Sequence, residues 1–461
     1  MQVLEKENQQ EEIKKTKQFR TIYYLGIIFG VFALMVNCLP FEANTNKGLA
    51  ILFLASSLWL TEIVNLSVTA LIIPVAAVYL NVLDTKTAMN NFSHPIIYLF
   101  LGGFILASAI NNQELDKYFA KKLITKVGNN FGIAIIILFF ITALLSMWIN
   151  NISTTLIMLP LALSLLKQLD KKNNEGTYIF SLLGIAYSAN IGGIGTIVGS
   201  APNAIAASYV GIDFLEWMKF GIPTVLLMMP LMIGCLYFSL KPNLKFQCNI
   251  DDNIKKITND GKITLFIFIA TAFLWINSKY VASFFGNIKY MDSIISLTAA
   301  ITLISLNLVD WKKVQQDAEW GVLILFGGGL TLNSILKTTG TSDFIGNIIS
   351  QSLGGTSYLS FIAFSIISII TLTQFTSNTA SAALLIPLFT AIAESMNIPT
   401  SVIAALLGMA ASFAFLLPVA TPPNAIVYGT GHIKQSQMIR TGFLVNICSI
   451  AMLFVLAKIL I

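Results

Sequence analysis

The sequence predicts an all-α integral membrane protein with about 11 transmembrane helices plus two re-entrant hairpins in an inverted repeat. Three observations predict this. Of 461 residues, 56% are hydrophobic and only 11% charged, where soluble domains carry roughly 25% charged residues. Apolar windows of about 17 to 25 residues, enough for a helix to cross a ~30 Å hydrocarbon core, recur along nearly the whole chain. Three landmarks of the first half also return, in order, in the second.

Residues 1–20 are charged with mixed sign and read as a cytosolic tail. The apolar run that follows is too long for a signal peptide and lacks a small-residue cleavage site, so residues 21–47 hold the first span and its loop. The crossings are 21–40, 48–63, 66–83, 95–111, 178–207, 220–240, 263–278, 290–309, 318–336, 400–428 and 441–460. With the N-terminus inside, 21 of the 28 Lys and Arg fall on the inner side, in the tail, 117–126, 167–172, 241–262, 312–313, Lys434 and Arg440. The other 7 fall outside. This positive-inside bias sets the orientation, with the C-terminus outside and the cytoplasmic (inner) membrane as the location.

Two apolar segments remain, 131–166 and 358–393, each broken near its middle by polar residues. After each break about 14 residues are left, roughly 21 Å of helix, too short for a full crossing. Both are therefore expected to be re-entrant hairpins. LFLGGFILASAI (99–110) resembles LILFGGGLTLNSIL (323–336), and WINNISTTLIMLPL (148–161) resembles FTSNTASAALLIPL (375–388), with Asn151 and Asn378 lying 227 positions apart. TIVGSAPNAIA (196–206) resembles PVATPPNAIVY (418–428), with Asn203 and Asn424 lying 221 apart. Residues 48–240 and 263–460 thus read as two copies of one unit. The odd number of crossings inverts one against the other, and the breaks in 178–207 and 400–428 should meet the hairpin tips. Such a design points to a secondary transporter with its site near the midplane.

Broken backbone at membrane depth must face protein or water, so the clusters should line a cavity. Ser146, Asn150, Asn151, Ser153 and Thr154 stand at the first tip, and Thr373, Thr376, Ser377, Asn378 and Thr379 at the second. The breaks are GGIGTIVGSAPN (192–203) and PVATPPN (418–424). Freed carbonyls with Asn and hydroxyl oxygens suit a desolvated sodium ion, and N–H groups at half-helix N-termini suit an oxyanion. No Lys, Arg or His lies in the four segments, and no carboxylate is evident within the bundle: Glu62 is near a span end and Glu394 follows the second hairpin. A proton-driven carrier usually carries such a group, so sodium is the expected driver.

A lone Ser, Thr or Asn in a membrane helix is more often interhelical glue than a ligand; four clusters paired by the repeat reverse that weighting. Gly102–Gly103 and Gly327–Gly329 read as close-packing sites, and the tryptophans as packing or interfacial anchors. Cys38, Cys235, Cys248 and Cys448 are scattered and imply neither disulfide nor metal. The net charge of +6 belongs to the loops and does not indicate nucleic acid. An enzyme would need convergent titratable groups or a metal cluster, which the sequence lacks, and no organic cofactor is expected.

The pairing of SNT (377–379) with SFAFLLPVATPPNAIVYGTG (412–431), and of MWINN (147–151) with GSAPNA (199–204), resembles the divalent anion to sodium symporter family, including its INDY-type dicarboxylate carriers. The resemblance covers residues 48–460. It implies a homodimer in the lipid bilayer, each protomer with a scaffold and a transport domain that moves elevator-fashion. It implies one sodium at Ser146, Asn150, Asn151 and Gly199, a second at Thr373, Thr376, Asn378 and Ala420, and a dianion at Asn151, Ser200, Ser377, Asn378, Thr379, Thr421 and Pro422. The family's first tip usually reads Ser-Asn-Thr, whereas this chain has Asn150-Asn151-Ile152. Ile152 offers no hydroxyl, which removes a bond of order 1.5–3 kcal/mol. A C4-dicarboxylate such as succinate is the first expectation. Sulfate or tricarboxylate symport, and sodium-independent dicarboxylate exchange, are the alternatives.

Overall fold

The computed structural model describes residues 2–125, 129–171, 173–248, 256–352 and 358–460. Lys126, Lys172 and Lys255, counted above on the inner side, lie outside the described residues. Every regular element among the described residues is helical, apart from an isolated bridge between Asn130 and Gln247. In chain order α1 (Gln2–Cys38), α2 (Ala43–Thr61), α3 (Leu66–Tyr79) and α4 (Thr85–Asn90) precede α5 (Pro95–Asn112) and α6 (Leu115–Thr125). Two helices joined by a short tip follow, α7 (Phe131–Ser146) and α8 (Asn151–Leu166). Then come α9 (Glu175–Gly192), α10 (Ala201–Val210), α11 (Phe214–Leu240), α12 (Asn259–Ile276) and α13 (Ser278–Phe284). The chain continues through α14 (Met291–Ser305), α15 (Trp311–Asp317), α16 (Trp320–Thr338) and α17 (Thr341–Ser352). The second tip joins α18 (Tyr358–Leu372) to α19 (Asn378–Ser395), and α20 (Thr400–Ala411), α21 (Pro422–Tyr428) and α22 (Gln435–Leu460) complete the chain.

Among the described residues, six helical stretches are long and apolar enough to cross a membrane: Thr21–Cys38, Thr85–Asn112, Phe214–Leu240, Asn259–Ile276, Trp320–Thr338 and Gln435–Leu460. The stretches read as crossings at 66–83 and 290–309 hold shorter helices, of 14 and 15 residues. Residues 178–207 are helical on either side of 193–200, and 400–428 on either side of 412–421. Proline stands in the first turn of the helix beyond each break, at Pro202 and Pro422, where a missing N–H costs nothing.

The chain forms two compact units, Met1–Ser93 with Ile324–Gly354, and His94–Leu323 with Gly355–Ile461. In the first, Ile28, Leu54 and Leu58 form a core between α1 and α2. A Cβ on Gly328 would sit 2.5 Å from the Ala70 backbone of α3, so here glycine permits close helix approach. In the second, α5 and α14 pack side by side. The hydroxyls of Ser293 and Ser296 donate to the carbonyls of Pro95 and Leu99, each at 2.7 Å. Gly102 lets Ser296 approach, since a Cβ there would lie 2.6 Å from its carbonyl oxygen. The helices that carry the tips and breaks belong to this second unit. α9 lies at its heart, with every residue from Thr177 to Gly192 buried.

Candidate functional site

Two tips and two breaks are brought together by crosswise packing. α8 lies on α21 and α19 on α10, so each hairpin meets the far half of the other break. The breaks are joined directly, with Asn190 Nδ2 donating to Thr421 Oγ1 at 3.1 Å and the hydroxyls of Ser200 and Ser412 lying 3.4 Å apart. The Tyr187 hydroxyl donates to the Phe415 carbonyl at 2.7 Å.

The tips share one pattern. The Ser146 hydroxyl lies between Asn151 Oδ1 at 2.6 Å and the Ala189 carbonyl at 2.8 Å. The Thr373 hydroxyl lies between Asn378 Oδ1 at 2.6 Å and the Ala411 carbonyl at 2.8 Å. One hydroxyl proton serves two acceptors in each case, so both clusters are rich in oxygen. The breaks also match. Asn203 Nδ2 donates to the carbonyls of Gly193 (2.8 Å) and Thr196 (2.7 Å), and Asn424 Nδ2 to those of Ala414 (2.9 Å) and Leu417 (3.1 Å). These two buried amides tie carbonyls at the broken helix ends, where the regular intrahelical ladder is interrupted. The sequence marked Asn203 and Asn424 as repeat landmarks but not for this role.

At the first tip the oxygens converge on a glycine cradle. A Cβ on Gly199 would lie 2.5 Å from the Gly193 carbonyl oxygen and 3.0 Å from those of Ser146 and Met147. A Cβ on Gly193 would lie 2.6 Å from Asn151 Oδ1. Backbone and amide oxygens of this kind are hard, neutral ligands, so the cradle's donor set fits a sodium ion. At the second tip Thr376 Oγ1 lies 2.7 Å from Ser381 Oγ. Ala414 and Ala420 stand where the first break has Gly193 and Gly199, and Ala420 ends the turn Pro418–Ala420.

Of the residues expected to meet an anion, Asn151, Ser200, Asn378 and Thr421 lie in these bonded clusters. Ser377 and Thr379 are half-buried at the start of α19, where Ser377 makes no side-chain cap bond, and Pro422 is exposed. Both ends of the Asn150 amide are engaged. Its Oδ1 caps α8 by accepting from Ser153 N at 2.8 Å, and its Nδ2 donates to Glu319 Oε1 at 3.1 Å.

Glu319 corrects one expectation. No carboxylate was expected within the bundle, yet Glu319, 169 positions from Asn150 in the chain, accepts from its amide at the first tip, so the lack of such a group no longer argues for sodium over a proton. Beside the tip lies a cavity of about 150 Å³, bordered by Ser108, Asn111, Trp148, Asn150, Ser153 and Asp317. Asp317 is engaged there, accepting from the Ser108 hydroxyl at 2.6 Å and pairing with Lys313 at 2.9 Å. Trp148 packs as expected of a tryptophan, in a cluster with Phe214, Phe268 and Trp275. Two of the scattered cysteines, Cys235 and Cys448, meet with their sulfurs 3.4 Å apart, both as free thiols.

Residues 57–398 match the family model of the citrate transporters, CitMHS. The chain is 45% identical over 441 residues to an uncharacterised transporter of Haemophilus influenzae, covering 94% of this chain and 95% of the relative. It is 32% identical over 473 residues to the sodium-dependent dicarboxylate transporter SdcS of Staphylococcus aureus, covering 95% of this chain and 91% of the relative. The solved YdaH transporter of Alcanivorax borkumensis is similar in fold, with a TM-score of 0.55 at 12% identity over 81% of this chain and 87% of that one.

Proposed function

The chain belongs to the citrate transporter family, and from that premise we propose that it is a sodium-driven symporter of a small divalent anion, a C4-dicarboxylate such as succinate. Membership makes it a multi-pass membrane protein and a secondary transporter of the citrate and dicarboxylate type, not an enzyme. Symport, substrate and mechanism are the proposal. The observation that carries it is the matched pair of oxygen clusters, Ser146 with Asn151 and Thr373 with Asn378, beside breaks that hold no Lys, Arg or His. A site without fixed cationic charge favours an anion only when a cation accompanies it, and the oxygens at the first cradle suit that cation. The related SdcS is named for sodium-dependent dicarboxylate transport, which supports the same choice.

In this reading, sodium ions enter at Ser146, Asn150, Asn151 and Gly199 and at Thr373, Thr376, Asn378 and Ala420. The dianion meets Asn151, Ser200, Ser377, Asn378, Thr379, Thr421 and Pro422. Residues 48–240 and 263–460 are the inverted repeats, and residues 131–166 and 358–393 are re-entrant from opposite faces. The N-terminus is cytoplasmic and the C-terminus outside. A homodimer carries the transport domains, which move elevator-fashion across the membrane. Succinate uptake into proteoliposomes is expected to require an inward sodium gradient and to be abolished by N378A; uptake indifferent to sodium refutes symport. A second reading, sodium-independent dicarboxylate exchange, is favoured by the engagement of Asn150 with Ser153 and Glu319. Exchange would show uptake only against internal dicarboxylate.

A further inference from the structure

Asn150 stands at the first tip with a definite partner at each end of its side-chain amide. A side-chain amide has an oxygen end and a nitrogen end of nearly equal shape, so only its partners fix which way it points. On one side the Ser153 N–H, at the start of α8, demands the oxygen at 2.8 Å. On the other side Glu319 Oε1 demands the nitrogen at 3.1 Å. The Ser153 N–H and the acceptor oxygen of Glu319 thus call for the same orientation of the amide. No ion pair to Glu319 is found among the described residues. The next residue in the chain, Asn151, is the first of α8 and carries the oxygen that meets Ser146 and the glycine cradle.

We infer that Glu319 is a positioning residue for the cation site at the first tip, fixing the Asn150 amide so that α8 starts in register and Asn151 Oδ1 stays on the cradle. The inference rests on the cation-coupled reading above. Glu319 itself touches neither the cradle nor the tip backbone. It acts from the segment between α15 and α16, one hydrogen bond behind the ligand set. Outer partners of this kind typically hold tenfold or more of a metal site's affinity.

The test uses the full chain, purified and reconstituted, and reads two sodium titrations: the thermal midpoint in the presence of succinate, and the initial rate of succinate uptake. E319A is expected to raise the sodium concentration for half-maximal effect about tenfold in both. Its midpoint without sodium, and its succinate KM at saturating sodium, should stay near those of the unsubstituted chain. E319Q keeps an acceptor oxygen for Asn150 and should remain within about threefold of the unsubstituted chain, since it keeps the outer-shell bond. N150D sets two carboxylates against each other and should weaken sodium as E319A does. The swapped pair N150D/E319Q restores both the cap and the hydrogen bond with its polarity reversed, and should recover the original sodium curve.

Superimposable sodium curves for E319A and the unsubstituted chain overturn the inference while leaving symport standing. E319Q as impaired as E319A, or no recovery in the swapped pair, overturns it in favour of a purely electrostatic role. An unsubstituted chain that ignores sodium in both titrations overturns the inference and the symport reading together.

Discussion

Asp116 lies in the first turn of α6 with its carboxyl buried, and among the described residues one of its oxygens finds no partner. Its Oδ1 accepts from Lys117 N at 2.7 Å. Burial outweighs that bond and pushes the carboxyl from its ordinary 3.8 up to about 6. A folded state that holds a proton more tightly than the unfolded chain has its extra stability below the ordinary value and loses it as pH rises through the raised one. Asp116 therefore weakens the fold between about pH 4 and 6, by roughly 3 kcal/mol at most, with little further change above. D116N keeps an oxygen for Lys117 N and carries no charge. Its thermal midpoint should exceed that of the unsubstituted chain at pH 7 and converge with it near pH 4. Parallel melting curves across that range would show that burial at Asp116 carries no linkage.

At the scale of elements, the two breaks solve the same problem with different residues. In the first, the carbonyl oxygens of Gly193, Ser146 and Met147 crowd Gly199 so closely that a Cβ there would lie 2.5–3.0 Å from them; in the second, alanines stand at the matching places. G199A would drive a methyl group to within 2.5 Å of the Gly193 carbonyl oxygen. Backbone cannot yield as a flexible side chain does, so a penalty of about 1–3 kcal/mol is expected. It falls where the proposed sodium oxygens converge. G199A should raise the sodium requirement of uptake at least about tenfold, whereas A420G should leave it within a few-fold. Equal effects of the two substitutions would mean that the first cradle is not a cation site. Tips and breaks were legible in the sequence because polar and Gly/Pro residues interrupt runs that are otherwise apolar, and because the Asn and Pro landmarks recur with fixed spacing. Glu319 was illegible for the opposite reason: its meaning lies in a contact with Asn150 that no local pattern announces. The crossings at 66–83 and 290–309 looked longer than α3 and α14 because apolar composition does not end where the helix does; Tyr79 and Ser305 are followed by turns rather than by charge.

Across the whole molecule the repeat-related positions are alike in bonding and unlike in surroundings. Trp148 lies parallel to Trp275, with centroids 6.4 Å apart and planes 3° off, and also packs on Phe214 and Phe268. Its counterpart Phe375 is 71% exposed. Val198 is half-buried and touches the Gly103 position, while its counterpart Val419 is 82% exposed. At these matched positions the first-half residues are thus covered and the second-half residues open. Two such arrangements of similar free energy are what alternating access requires, and a ligand shifts their balance only by binding one better than the other. In a cysteine-free background, F375C should react quickly with a membrane-impermeant maleimide and W148C slowly. Sodium with succinate should change the ratio of the two rates several-fold, because the bound pair favours one arrangement. A ratio insensitive to both solutes would mean that the asymmetry is fixed and not a state of a transport cycle. Phe375 also tests the site directly: a side chain facing lipid would be silent to the polar reagent, and the second tip could then not line an aqueous path for the anion.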